Sequence, residues 1–173
     1  MKTTFVIGGC RSGKSSYAQS LAEKIPGKKL YLATCVPRDA EMRARVERHQ
    51  GQRGPDWDTL EEPVKLAAAL KRKGEDYGVI LVDCLTLWIS NILLSARGKP
   101  GLEKECEELV KILETPDCPV ILVSNEVGTG IVPENDLARL YRDEAGRVNQ
   151  KIAAVADRVV WMVAGIPVTI KAD

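Results

Sequence analysis

The chain of 173 residues is long enough for one domain with its own hydrophobic core, so stability requires neither disulfides nor a structural metal. Its 25 basic and 24 acidic residues nearly cancel, which argues against a nucleic-acid-binding protein driven by bulk charge. Because the sequence has no apolar run that could span a bilayer, no signal-peptide pattern and no C-x-x-C pair, we expect one cytoplasmic domain over residues 1–173 with reduced thiols.

The first predicted elements are a strand, a glycine-rich turn and a helix. Residues 3–7 form an apolar, β-branched run, and apolar residues recur at helical spacing over residues 15–25. Between them the sequence GGCRSGKS, residues 8–15, matches the pattern G-x-x-x-x-G-K-S. This motif in a strand-to-helix context predicts a P-loop that binds the phosphates of a nucleotide.

Each residue type in this loop suits a polyphosphate. Gly8 and Gly13 allow backbone N–H groups to approach the phosphates without a Cβ in the way. The start of the helix adds free N–H groups and the positive end of the helix dipole. Lys14 supplies a positive charge for the outer phosphates, and Ser15 offers a hydroxyl to Mg²⁺. Arg11 either neutralises phosphate charge as well or simply faces solvent.

Strands alternate with helices along the rest of the chain. Further strands are predicted at residues 28–34, 57–62, 77–85, 119–124, 158–163 and 168–171. Further helices are predicted at residues 39–53, 63–70, 86–95, 102–113 and 134–156, with loops at 71–76 and 96–101. In the last helix, Gly146 suggests a position of close packing.

This alternation predicts an α/β fold with a mainly parallel sheet flanked by helices. The run at residues 77–85 is continuously apolar, which is typical of a strand buried on both faces of the sheet. The link between the last two strands is so short that they should form an antiparallel pair at the sheet edge. We find no internal repeat and no linker that would divide the chain.

Polar residues follow several of the apolar runs, at the edge where a parallel sheet binds its ligands. They are Thr34, Asp83 and the pair Asn125 and Glu126, and we expect them to converge with the P-loop on one cleft. Asp83 is interpreted as a Mg²⁺ ligand, although an Asp also suits an ordinary turn at a strand end. Glu126 either deprotonates an acceptor hydroxyl or pairs with an arginine.

His49 is the only histidine, and it lies in a strongly charged segment. A histidine on such a segment is often just a solvated residue. Here Arg45, Arg48 and Arg53 lie close in sequence, and nearby guanidinium groups would lower the pKa of the imidazole and neutralise phosphate charge. A neutral imidazole in these surroundings is a plausible nucleophile toward a phosphate.

The sequence resembles, over essentially the whole chain, the bifunctional adenosylcobinamide kinase and adenosylcobinamide-phosphate guanylyltransferase family of cobalamin biosynthesis. The stretches that carry the resemblance are GGCRSGKS (8–15), YLAT (31–34), EMRARVERHQ (41–50), WDTLEEP (57–63), LVDCLTLW (81–88), SNEVGTGIVPEN (124–135) and RDEAGRVNQ (142–150). A P-loop is shared by many nucleotide-binding proteins, whereas residues 124–135 and the segment around His49 are far more specific.

The resemblance implies two activities in one chain. The family phosphorylates the aminopropanol hydroxyl of adenosylcobinamide from ATP or GTP. It then transfers GMP from GTP to that phosphate through a guanylylated histidine, which corresponds to His49, and releases pyrophosphate. The family is similar to the RecA-like branch of P-loop NTPases and forms homotrimers, so a RecA-like fold and a trimer are implied for this chain.

The resemblance also implies a set of site residues. The nucleotide contacts would be Gly8, Gly9, Cys10, Arg11, Ser12, Gly13, Lys14, Ser15, Thr34, Gln50, Gly51, Gln52, Arg53, Glu62 and Asp83. Cys10 stands where the family more often has alanine, and Glu61 is an alternative to Glu62. With the chemistry above, we expect His49, Lys14 and Glu126 to be catalytic and Ser15 and Asp83 to hold Mg²⁺.

Other functions are compatible with a P-loop alone. A monofunctional small-molecule kinase would use the loop without His49. A nucleotide-gated regulatory protein would bind nucleotide without transferring phosphate to cobinamide. A RecA-like motor would respond to DNA or RNA, and the near-neutral charge argues against it.

Overall fold

The computed structural model describes residues 2–36 and 53–172, and it places their strands in one seven-stranded sheet. The strands are β1 (Thr3–Gly8), β2 (Lys29–Ala33), β3 (Trp57–Glu61), β4 (Val79–Asp83), β5 (Val120–Asn125), β6 (Arg158–Val163) and β7 (Ile166–Ala172). Their order across the sheet is β3-β2-β4-β5-β1-β6-β7. All neighbours are parallel except β6 and β7, which confirms the predicted parallel sheet with an antiparallel edge.

Helices cover both faces of the sheet. They are α1 (Lys14–Glu23), α2 (Leu66–Lys73), α3 (Leu85–Leu93), α4 (Gly98–Glu114) and α5 (Asp136–Val155), with a 3₁₀ turn at Gly74–Asp76. Helix α1 packs on one face through Ala18 and Ala22, while α2 to α5 bury the other face. Within residues 2–36 and 53–172, no helix combines the length and apolar character needed to cross a bilayer.

The central strands are buried on both faces, as their continuous apolar runs predict. Val79, Ile80, Leu81 and Val82 are each at most 1% exposed, and their side chains alternate between the two core layers. Strand β5 lies between the P-loop strand β1 and strand β4. The loop after β1 and the carboxyl end of β4 therefore reach the same edge of the sheet with a strand's width between them.

Two predicted loops are wrong in part. Helix α2 continues to Lys73 and passes into the 3₁₀ turn, so residues 71–76 are helical rather than irregular. The three basic residues at its end complement the negative end of the helix dipole. Helix α4 begins at Gly98, inside the predicted loop 96–101, because Pro100 lies in the first turn, where a missing N–H costs no helix bond.

The last helix differs from its prediction in its packing. Helix α5 begins after Asn135, whose side chain accepts a hydrogen bond from the backbone N–H of Ala138 at 3.0 Å. Leu137 and Leu140 recur at helical spacing with the buried apolar residues of this helix, but they are 50% and 38% exposed. The prediction of close packing at Gly146 is wrong, since a Cβ there would have no neighbour within 4 Å among the described residues.

The C-terminal hairpin turns more tightly than predicted. Ala164 and Gly165 have φ values of 50° and 85°, which a two-residue turn between twisted strands requires. Strand β7 therefore begins at Ile166, two residues before its predicted start. The predicted helix over residues 39–53 lies outside the described residues except for Arg53.

Candidate nucleotide site

A cavity of about 570 Å³ opens at the carboxyl ends of the parallel strands. Residues 10–16, from the P-loop and the start of α1, form one wall, and the facing walls include Tyr31, Arg53, Asp83 and Asn125. This is the edge at which parallel α/β sheets bind ligands. The expected convergence of the P-loop with strand-end polar residues is therefore seen for Asp83 and Asn125.

The backbone of the P-loop needs its glycines. A Cβ on Gly8 would lie 2.5 Å from the carbonyl oxygen of Met162, so no larger residue fits beside β6. Gly13 has φ of 90° and immediately precedes α1. The turn of the C-terminal hairpin supports the loop, since the N–H of Gly165 donates to the carbonyl oxygen of Ser12 at 3.1 Å.

Lys14 is buried and folded back into the loop. Its Nζ donates to the carbonyl oxygen of Gly9 at 2.6 Å. Burial lowers the pKa of Lys14, while the negative charge of Asp83 opposes that change. The ammonium group therefore lies inside the loop that is expected to bind phosphates. A phosphate oxygen carries more negative charge than the carbonyl oxygen of Gly9 and would be a stronger hydrogen-bond acceptor for Nζ.

Asp83 forms part of a second wall together with Tyr31 and Arg53. The Tyr31 hydroxyl donates to Oδ2 of Asp83 at 3.2 Å. The guanidinium carbon of Arg53 lies 3.8 Å from the centroid of the Tyr31 ring, and Nη2 donates to Oγ1 of Thr59 at 3.1 Å. Burial, followed by the charge of Asp83, raises the pKa of Tyr31, and burial lowers the pKa of Arg53.

The donor set of the cavity suits Mg²⁺. Ser15 and Asp83 both line the cavity, beside Lys14. A hydroxyl and a carboxylate are hard oxygen ligands of the kind that Mg²⁺ prefers when phosphate oxygens and water complete its shell. The predicted metal ligands therefore lie in one place.

Thr34 is oriented differently from its prediction. It is fully buried, and its Oγ1 donates to the carbonyl oxygen of Cys84 at 2.7 Å and accepts from the N–H of Cys84 at 2.9 Å. Among the described residues, its side chain is not part of the cavity lining. The hydroxyl holds the backbone that follows Asp83.

The two predicted glutamates also contact backbone. Glu62 accepts from the N–H groups of Val64 and Lys65, at 3.0 and 2.7 Å, just before α2 begins. The carboxylate of Glu126 accepts from the N–H of Gly128 at 2.8 Å. Neither side chain lines the cavity in the part of the chain that the structure describes.

Asn125, the neighbour of Glu126, faces the cavity instead. Its Nδ2 donates to Oγ1 of Thr86 at 3.0 Å, and the Tyr141 hydroxyl donates to the carbonyl oxygen of Thr86 at 3.2 Å. Sequence reasoning placed Asn125 at this edge without a role and did not single out Tyr31, Thr86 or Tyr141. The alternation of residues along β2, which puts Tyr31 on the same face as Ala33, was the available signal.

Four predicted site residues and the three tryptophans remain to be placed. His49, Gln50, Gly51 and Gln52 lie outside the described residues. The three tryptophans, Trp57, Trp88 and Trp161, were equally compatible with a core or a ligand-binding role; none of them belongs to the described lining of the cavity, and Trp88 is fully buried in the core.

A glycine-rich loop between a parallel strand and a helix, a buried lysine at its end and an aspartate two strands away define a P-loop nucleotide-binding domain. Residues 4–170 match the family model described as cobinamide kinase / cobinamide phosphate guanyltransferase. The chain belongs to this family.

Curated relatives agree with this assignment, and a solved structure shares the fold. The bifunctional adenosylcobalamin biosynthesis protein CobP of Pseudomonas aeruginosa is 44% identical over 168 residues, which are 97% of this chain and 96% of that protein. The corresponding CobU of Salmonella typhimurium is 41% identical over 96% of this chain and 98% of that protein. An ATPase of a type III secretion system from pathogenic bacteria is 10% identical, with a TM-score of 0.57 over 97% of this chain and 56% of that chain, and it shows the fold alone.

Family membership decides between the functions that the P-loop alone leaves open. The chain is a kinase and guanylyltransferase of adenosylcobalamin biosynthesis, and the bifunctional interpretation is favoured over a monofunctional kinase. The predicted P-loop NTPase fold is confirmed by the sheet order and by the structural neighbour.

Proposed function

We propose that one triphosphate site, in the cavity beside the P-loop, serves both reactions on ATP or GTP. The observation that carries this proposal is that Lys14, Ser15, Arg53 and Asp83 line a single cavity of about 570 Å³. The other predicted nucleotide contacts, residues 8–13 and 50–52 with Thr34 and Glu62, are proposed to surround the same nucleotide. Thr34 would act through the backbone it holds.

In the kinase step the aminopropanol hydroxyl of adenosylcobinamide attacks the γ-phosphorus. A new O–P bond forms, the bond to the β–γ bridging oxygen breaks, and ADP or GDP leaves. Lys14 offsets the charge on the phosphate oxygens, and Ser15 and Asp83 would hold Mg²⁺, which supplies further charge neutralisation when bound. Glu126 is proposed to accept the hydroxyl proton, which requires its carboxylate to leave the N–H of Gly128.

In the guanylyltransferase step His49 is proposed as the nucleophile. Its imidazole nitrogen attacks the α-phosphorus of GTP, so that a P–N bond forms and the bond to the α–β bridging oxygen breaks. Pyrophosphate is the leaving group, and the P-loop binds it as it departs. An oxygen of cobinamide phosphate then attacks the same phosphorus, which breaks the P–N bond and regenerates the imidazole. Support comes from the family and from the sequence, in which His49 is the only histidine.

Labelling with GTP tests both steps. Wild-type protein incubated with GTP labelled on the α-phosphate should retain acid-labile label, and His49→Ala should retain none. The same variant should still transfer the γ-phosphate of ATP to adenosylcobinamide, which provides the matched control for folding. Label that persists on His49→Ala would refute the role of His49, and loss of both transfers in Lys14→Ala is expected if the site is shared.

The homotrimer is also proposed, on the family resemblance and on an uncovered apolar face of the C-terminal hairpin. Trp161, Val163, Ile166, Val168 and Ile170 on this face are between 41% and 64% exposed. Burial of such a face against another copy would be favourable, whereas leaving it in water is not.

Light scattering during size exclusion tests the trimer. Wild-type protein should elute with a mass near three copies of the 19.0 kDa chain. Val168→Glu should dissociate it, while Thr169→Glu, on the opposite face of the strand, should not. A monomeric wild type would contradict the proposal.

A cytoplasmic location is likewise proposed, and fractionation of the producing cell would test it.

A further inference from the structure

Tyr31 contacts two charged residues that have different roles in the proposed nucleotide site: Asp83 would hold Mg²⁺, and Arg53 would contact the nucleotide. Its hydroxyl donates a hydrogen bond to the carboxylate of Asp83, and the guanidinium of Arg53 stacks on its ring. We propose that Tyr31 is a positioning residue of the nucleotide site, which orients Asp83 through the hydroxyl and Arg53 through the ring. This inference rests on the function proposed above and adds a residue to it.

The contact with Asp83 follows from the register of the sheet. Tyr31 lies on β2 and Asp83 ends the neighbouring parallel strand β4, where it pairs with Ala33. Tyr31 and Ala33 lie two residues apart on β2, so their side chains share a face of the sheet. Asp83 pairs with Ala33 and points to the same face, so Tyr31 and Asp83 both face the cavity. The hydroxyl donates to Oδ2 at 3.2 Å, and no described residue donates to Oδ1. One carboxylate oxygen is thereby held while the other remains available to a cation.

The contact with Arg53 uses the aromatic face. The guanidinium carbon lies 3.8 Å from the ring centroid, which is a stacked cation–π geometry. A stacked guanidinium keeps its N–H donors in its own plane, at the edge of the ring, where they can pair with phosphate oxygens. The hydrogen bond from Nη2 to Oγ1 of Thr59, at 3.1 Å, fixes the rotation of the group about the ring normal.

A purely structural role would require only the ring. Tyr31 packs partly against the core beneath α1, and a phenylalanine would occupy the same space. Tyr31→Phe therefore removes the hydroxyl and leaves the ring, the packing and the stacked Arg53 in place. Tyr31→Leu removes the hydroxyl and the aromatic face. The two variants separate the two parts of the proposal from each other and from core packing.

The test measures the binding of fluorescent GTP with and without Mg²⁺. In EDTA, Tyr31→Phe should bind GTP within about twofold of wild type, because the Arg53 fork is unchanged. Its half-saturating Mg²⁺ concentration should rise about fivefold, the effect of losing one hydrogen bond of ordinary strength. Tyr31→Leu and Arg53→Ala should each weaken binding in EDTA about fivefold or more, and the double variant should be no weaker than Arg53→Ala.

Several outcomes would overturn the proposal. A Mg²⁺ titration of Tyr31→Phe that overlays wild type would remove the role of the hydroxyl. Unchanged binding in EDTA by Tyr31→Leu, or by Tyr31→Met if the leucine variant does not fold, would remove the role of the ring. Thermal melting of each variant shows that it is folded. Wild-type protein that fails to bind GTP or to phosphorylate adenosylcobinamide would instead refute the function proposed above.

Discussion

Replacing Thr34 with valine should show whether this residue holds the protein together or contacts the nucleotide. Valine keeps the shape of threonine and removes only the hydroxyl. That hydroxyl makes two hydrogen bonds, to the carbonyl oxygen and from the N–H of Cys84, at 2.7 and 2.9 Å. Thr34 is fully buried, so water does not replace it easily.

The expected cost follows from those two bonds. A buried backbone group left without a partner costs about 1–3 kcal/mol. Two such groups would cost about 2–6 kcal/mol, and because Cys84 is only half-buried we expect the lower half of that range, about 2–4 kcal/mol. For a domain of this size, such a loss lowers the melting temperature by about 5–15 °C.

The assay is urea denaturation of wild type, Thr34→Val and Thr34→Ser, together with the dissociation constant for GTP. Serine keeps the hydroxyl and loses one buried methyl, so it should cost only about 1 kcal/mol. Thr34→Val should also weaken the Mg²⁺-dependent part of GTP binding, because Asp83 precedes the released backbone. Equal stability of the valine and serine variants, with weaker GTP binding by valine alone, would refute this reasoning and make Thr34 a direct nucleotide ligand.

Three further changes test other parts of the structure. Lys14→Met should lower phosphate transfer about 10²–10³-fold with little change in melting temperature, since it removes charge stabilisation rather than packing. Glu105→Gln should lower the free energy of unfolding, measured in urea, by about 1–2 kcal/mol. The Glu105 carboxylate is 3% exposed, but its cationic partners Lys65 and Arg97 are 45% and 46% exposed and can be solvated when the carboxylate is removed. A loss above about 4 kcal/mol would contradict this view. Asp157 accepts from the N–H groups of Thr3 and Lys2, and these bonds lower its pKa below the ordinary 3.8. The stability that ionised Asp157 contributes is therefore fully present above about pH 3.8 and is lost as the pH falls through its lower pKa in the folded protein. The difference in free energy of unfolding between wild type and Asp157→Asn should shrink in acid. A difference that stays constant from pH 7 to about 2 would contradict this prediction.

Much of the fold and part of the site were readable from local patterns. The P-loop strand and helix, the buried run that became β4, and the antiparallel hairpin each depend on residues a few positions apart. A strand buried on both faces needs a continuous apolar run, and a tight turn needs residues that tolerate positive φ, so the pattern and the structure have one cause. The loops at 71–76 and 96–101 were misjudged because helix ends depend on the dipole and on first-turn geometry more than on polarity.

The sequence by itself determined the α/β class, the phosphate-binding loop and the family, because these reside in spacing and residue type. Only the tertiary structure decided what each strand-end side chain contacts. It turned Thr34 and Glu62 toward backbone, brought Asn125 rather than Glu126 into the cavity lining, and joined Tyr31 to Arg53 and Asp83. Such contacts depend on which strands become neighbours and in what register, and those pairings join strands far apart in sequence. The alternation within one strand indicates which face a side chain occupies but not which residue of another strand it meets.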